Sequence, residues 1–155
     1  MTPILPAAAL TALVALQAGS AAAADLTVTV EGIRNDHGRV YVTLFDGAGT
    51  WLDADHSLQD LSAAAHPGPV AITFHIVAPG RYAAVTYHDE NGNNAMDFDV
   101  LGLPTEGFAF SNQARPFLSA PSFERCAFEI GKEGAHISIK MIYPYAEFFW
   151  PFHMS

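Results

Sequence analysis

Three observations predict an all-β fold, an antiparallel sandwich of about seven strands. Short segments rich in Val, Ile, Thr, Tyr and Phe recur along the chain, alternating or continuously apolar. Clusters of Gly, Pro, Asn and Asp separate them. Helical periodicity is almost absent, and no internal repeat occurs.

Leu26-Thr27-Val28-Thr29-Val30 alternates with β-branched residues throughout, the pattern of a half-buried strand. Asn35-Asp36-His37-Gly38 is a turn cluster, and Arg39–Phe45 returns as a second strand, so the pair is expected to form a hairpin. Residues 46–69 are long and irregular. Within them Trp51, Leu52, Leu58 and Leu61 are expected to form the apolar side of a short helix starting near Asp55 or Ser57. Val70–Ile76 is a third strand. Ala78-Pro79-Gly80 is a tight turn, with proline fixing φ and glycine permitting positive φ. Arg81–His88 is nearly continuously apolar, as suits a central strand buried on both faces. Leu101–Ser119 has no clean period and is expected to be an excursion with one short strand at most. Phe123–Ile130 and His136–Tyr143 are the last two strands, joined by a turn at Gly131-Lys132-Glu133-Gly134.

The ends differ from this domain. Ile4–Leu16 is apolar and rich in Ala and Leu, and Ala22-Ala23-Ala24 precedes Asp25 as a small-residue cleavage site. Residues 1–24 are therefore expected to be a secretory signal peptide, although no Lys or Arg precedes the apolar run. That run is too short to span a bilayer comfortably. Export to the periplasm or the cell exterior follows, with a β-sandwich at 25–143 and an aromatic tail at 144–155. The tail, Tyr143-Pro144-Tyr145-Ala146-Glu147-Phe148-Phe149-Trp150-Pro151-Phe152, is expected to pack on its own domain or to bind a partner.

The formal charge is −9, from 16 acidic and 7 basic residues. A nucleic-acid partner is disfavoured, because phosphate contacts need a basic face. Cys126 is the single cysteine, so no internal disulfide forms. Its apolar surroundings predict a buried, inert thiol.

The densest chemistry lies in His88-Asp89-Glu90-Asn91-Gly92-Asn93-Asn94-Ala95-Met96-Asp97-Phe98-Asp99. Hard cations such as Ca²⁺ take oxygen ligands at alternating loop positions. Asp89, Asn91, Asn93, the carbonyl of Ala95 and Asp97 stand at positions one, three, five, seven and nine of a calcium loop. Val100 replaces the bidentate Glu at twelve, so Asp99, Glu106 or water would complete the shell. Asn94 replaces the glycine at six, and Asn tolerates the left-handed conformation needed there. Such a set predicts weak binding, with Kd of about 10⁻⁴–10⁻³ M. The competing reading is a polar turn, in which Asp89, Asn91 and Asn93 bond to main-chain amides.

Three segments carry a resemblance: Asp25–Phe45, Ala78–Asp97 (APGRYAAVTYHDENGNNAMD) and Leu101–Asn112 (LGLPTEGFAFSN). In this order they resemble the bacterial secreted family known as domain of unknown function 2141. The Pro-Gly-Arg-Tyr turn and strand is also similar to transthyretin-like and carboxypeptidase-regulatory-like sandwiches, in keeping with the expected Ig-like or transthyretin-like sandwich. The resemblance implies an exported, β-rich domain and assigns no activity. The chain departs from the family at Asn94, where glycine is common, and in the tail after Tyr143.

Catalytic signatures are sparse. There is no His-Glu-x-x-His, no Gly-x-Ser-x-Gly and no phosphate-binding glycine loop. A transthyretin-fold hydrolase would have to bring His75, His88 and Arg81 into one cleft. His88 and Asp89 are neighbours on a strand and are expected to face opposite ways. Trp51, Tyr87, Phe108 and Phe110 are candidate stacking faces for a glycan, against the usual role of aromatics as core. The expected function is thus a non-enzymatic binding or accessory module with a protein or glycan partner. Its best site candidate is Asp89, Asn91, Asn93, Ala95, Asp97 and Asp99, with Ca²⁺ as the ion.

Overall fold

In the computed structural model, residues 24–144 are described, apart from the side chains of Ile76 and Val77. The expected signal peptide and the tail beyond Pro144 lie outside them. Among the described residues, eight strands form: β1 (Ala24–Ile33), β2 (Arg39–Phe45), β3 (Gln59–Ala64), β4 (Gly68–Val77), β5 (Gly80–Asp89), β6 (Gly107–Phe110), β7 (Phe128–Ile130) and β8 (Ala135–Lys140). One sheet has the order β4-β1-β8. The other runs β3-β2-β5-β6, with β7 added to the start of β5.

The alternation in the sequence decides which side chains meet between the sheets. Leu26, Val28 and Val30 of β1 are fully buried, as are Val40, Val42 and Leu44 of β2; with Ile72, Phe74, Ala84 and Ile139 they make one core. Fully burying one such side chain contributes about 1.5–3 kcal/mol, so this face-to-face cluster holds the two sheets together.

β5 is central and buried on both faces, as its apolar run predicts. Tyr82 and Ala84 enter the main core. Ala83 enters a second cluster with Phe45, Phe110, Phe123 and Cys126, against which Trp51 and Val85 pack. Because a strand's side chains alternate, this second cluster covers the outer face of the five-stranded sheet.

Four expectations are corrected. The turn at residues 35–38 does not close a hairpin: β1 and β2 lie in different sheets, and the chain crosses the sandwich there. The expected helix around Trp51–Leu61 is a single 3-10 turn, Ala54–His56, followed by the edge strand β3. Leu52 and Leu58 are exposed, so that apolar helical face does not exist. Phe123–Ile130 divides into a helical turn, Phe123–Cys126, and the short β7. Finally, β8 pairs with β1 in parallel, in an otherwise antiparallel arrangement.

Candidate functional site

The acidic loop begins where β5 ends. Asp89 faces out from the sheet yet is fully buried, because the following residues fold back over it. Its Oδ1 accepts the N–H groups of Gly92 (2.7 Å) and Asn93 (3.2 Å), and its Oδ2 accepts that of Asn94 (2.8 Å). The fold-back requires left-handed backbone at Gly92 (φ 76°) and Asn94 (φ 61°). Glycine adopts this freely, and Asn more readily than other side-chain-bearing residues. Asn94 occupies the sixth loop position in the left-handed conformation expected of it, and its Oδ1 accepts the Tyr41 hydroxyl at 2.6 Å.

Asn91 and Asn93 each accept the N–H two residues on, at 3.0 and 2.9 Å, and so fix successive turns. Their Nδ2 groups both donate to Asp97, at 2.5 Å from Asn91 and 2.9 Å from Asn93. Asp89, Asn91, Asn93 and Asp97 are thus tied into one loop, with Ala95 on its exposed rim. Asp99 belongs to the next turn, where its Oδ1 accepts the N–H groups of Leu101 (2.8 Å) and Leu103 (2.9 Å).

Glu106 takes a structural position. Its carboxylate accepts the N–H of Glu90 at 2.9 Å and that of Asp97 at 3.3 Å, clasping the two stems of the loop. Burial raises its pKa, against the lowering effect of those two amides. Among the described residues, no three His, Cys, Asp or Glu side chains form a group able to hold a metal ion. A cation here would depend on two carboxylates, two side-chain amides and a backbone carbonyl. Asp89 has about four acceptor positions and three are taken, which leaves one.

On the inner side of β5, the fully buried His88 reaches the Tyr143 hydroxyl through Nδ1 (2.7 Å) and the His37 carbonyl through Nε2 (2.8 Å). A carbonyl only accepts, so Nε2 carries the proton, and in the neutral ring Nδ1 accepts from Tyr143. The Tyr143 oxygen in turn accepts the Arg34 N–H at 3.2 Å. The Arg34 guanidinium lies 4.4 Å from the Tyr143 ring centroid and pairs with Glu90. The Arg34 hydrogen bond holds the Glu90 carboxyl below its ordinary range.

Two glycines admit this network. A Cβ on Gly107 would lie 2.4 Å from the Tyr143 ring, and one on Gly38 would lie 1.8 Å from the Asp89 carbonyl oxygen. Sequence reasoning missed Arg34 and Tyr143, and it offered Glu106 only as an ion ligand. The available signals were these glycines and a histidine inside an apolar strand. Among the described residues, every buried side-chain nitrogen or oxygen has a hydrogen-bond partner.

The three residues considered for hydrolysis do not converge. His75 is exposed on β4 and pairs with Asp25 at 3.1 Å. Arg81 pairs with Glu124 at 2.5 Å, seven positions before His88 on β5, a separation of about 23 Å along a strand. His88 and Asp89 face opposite sides, as expected.

Of the proposed stacking aromatics, Trp51 donates to the Pro121 carbonyl at 2.8 Å and packs edge-on against Phe45 and Phe123. Phe110 is buried in the same cluster. Tyr87 and Phe108 are half-buried on the outer face, and burial pushes the Tyr87 phenol up to about 12. Cys126 is fully buried, with its thiol pushed up to about 11 by desolvation, as its surroundings predict.

Residues 28–138 match the bacterial family described as an uncharacterized protein conserved in bacteria, DUF2141, and the chain belongs to that family. No curated protein and no solved structure matches the chain. Among the described residues, no helix is long and apolar enough to cross a membrane.

Proposed function

We propose that this member of the DUF2141 family acts outside the cytoplasm as a non-enzymatic binding or accessory module whose Asp89–Asp97 loop takes Ca²⁺ weakly. The observation that carries the ion reading is the left-handed turn at Asn94, the sixth position of the loop. Around it, Asp89, Asn91 and Asn93 alternate along a backbone they already order, and Asp97 lies against both asparagine amides. Rotating those two amides would turn oxygen toward a cation held by Asp97. The Ala95 carbonyl and the remaining acceptor position of Asp89 would add to the shell, with water completing it in place of Asp99. The exported setting rests on the apolar run at residues 4–16 and the alanines before Asp25. The non-enzymatic reading rests on the separation of His75, His88 and Arg81.

A melt in EDTA, in 10 mM Ca²⁺ and in 10 mM Mg²⁺ tests the ion reading. With a Kd of about 10⁻⁴–10⁻³ M, mass action adds about 1.4–2.7 kcal/mol. For a domain of this size the midpoint rises by about 5–10 °C. Equal midpoints in all three buffers would leave the loop a structural turn.

Recognition of a glycan or a protein is a second reading. It is favoured by Tyr41, Tyr87 and Phe108, which lie opposite one another on three adjacent strands of the outer face.

A further inference from the structure

The turn after the acidic loop is built firmly and presents apolar side chains to water. Asp99 N–H donates to the Leu103 carbonyl at 2.8 Å, its carboxylate caps Leu101 and Leu103, and Phe98 bridges Pro104. This frame holds out Phe98 (59% exposed), Val100 (101%), Leu101 (79%) and Leu103 (53%). Single exposed apolar residues are ordinary, whereas four on one ordered turn mark a surface that something covers.

The end of the described chain points to the occupant. Ile142 and Phe108 exchange both backbone hydrogen bonds, each at 2.9 Å, in an antiparallel bridge. The chain therefore leaves Ile142 in the direction of Glu106, Thr105 and Pro104, toward the base of the apolar turn. Tyr143 anchors this exit, buried against Gly107 and His88. After Pro144 come Tyr145, Phe148, Phe149, Trp150 and Phe152, with Glu147 the only Asp, Glu, Lys or Arg. Even at about 1.5 Å per residue, the compact limit of a helix, residues 145–155 reach about 16 Å.

We propose that the C-terminal segment Tyr145–Phe152 covers the apolar turn Phe98–Leu103 of its own chain. Charge favours this over an anionic lipid surface, because Asp97 precedes the turn and Asp99 lies within it, in a chain of net charge −9. The proposal is independent of the ion reading, and its test is run in EDTA.

The test uses Trp150 fluorescence in the chain from Asp25 onward, with the Trp51 contribution subtracted through W150F. Exchanging both Val100 and Leu101 for aspartate changes exposed positions, and the melting midpoint verifies that the sandwich remains folded. In the unmutated chain Trp150 is expected to emit at short wavelength and to resist acrylamide quenching, independently of protein concentration. In V100D/L101D it is expected to shift to the red and to quench several-fold more readily. F148S/F149S, altered only in the tail, is expected to do the same. Identical Trp150 emission and quenching with and without V100D/L101D would overturn the proposal. So would shielding that disappears on dilution, which would indicate a second copy, or shielding that arises only with added phosphatidylcholine vesicles.

Discussion

Replacing Asp89 by alanine separates the structural work of the acidic loop from any ion it holds. The carboxylate is fully buried and accepts three backbone N–H groups at 2.7–3.2 Å. Hydrogen bonds to a charged group contribute about 1.5–3 kcal/mol each. Gly92, Asn93 and Asn94 are exposed, so water takes over part of their bonding once the carboxylate is gone. The 3.2 Å contact shares its acceptor and adds least. The loss is then about 3 kcal/mol in EDTA, which lowers the midpoint by about 12 °C for a domain of this size. Asp97 provides the contrast. It is half-buried, its partners are exposed asparagine amides, and D97A in EDTA is expected to cost about 1 kcal/mol or less. Chemical denaturation of D89A, D97A and the unmutated chain, each in EDTA and in Ca²⁺, measures both effects. If D89A lies within about 1 kcal/mol of the unmutated chain in EDTA, the buried carboxylate does not staple the loop and the argument fails.

Tyr143→Phe strands the buried Nδ1 of His88 and is expected to cost about 1–3 kcal/mol in urea unfolding. Gly38→Ala would force a Cβ to within 1.8 Å of the Asp89 carbonyl oxygen at φ 64°. The combined cost of overpacking and left-handed strain is about 3 kcal/mol or more, visible as a lowered midpoint or loss of soluble protein. Glu90 has a depressed folded pKa because Arg34 hydrogen-bonds its carboxylate. Its stabilisation is therefore present above the unfolded value of 4.5 and is lost as pH falls through the folded value. The stability difference between the unmutated chain and E90Q is expected to shrink as pH is lowered from about 6 to about 3. Glu106, with its pKa raised by burial, works in the opposite sense: its contribution is present below 4.5 and is lost as pH rises through its folded value.

Much of the architecture was legible locally. The alternation in Leu26–Val30 identified a half-buried strand, because a side-chain period of two needs no knowledge of the partner, and Arg39–Phe45 was read as a second strand. The apolar run of β5 correctly implied burial on both faces. The left-handed Asn94, the opposed directions of His88 and Asp89, and the buried Cys126 followed from single-residue chemistry. The acidic loop was recognised as a unit, and the polar-turn reading contained the bonding of Asp89, Asn91 and Asn93 to main-chain amides now seen.

Pairing was not legible. Gln59–Ala64 (Gln-Asp-Leu-Ser-Ala-Ala) has weak strand propensity and is a strand because β2 offers it a free edge to pair with. Turns that look like hairpin connections instead carry the chain across the sandwich, since a turn motif specifies reversal but not which sheet receives the next strand. The parallel match of β8 to β1 and the insertion of Tyr143 beside His88 join residues 55 or more positions apart. By itself, then, the sequence determined most of the extended segments, the burial of the central strand on both faces and where the polar chemistry lies, because these depend on near neighbours. Only the tertiary structure decided which strands are partners, that Asp89 and Glu106 clasp the loop rather than stand open to solvent, and that His75, His88 and Arg81 remain apart. Those outcomes depend on contacts between distant segments, whose relative energies no local pattern encodes.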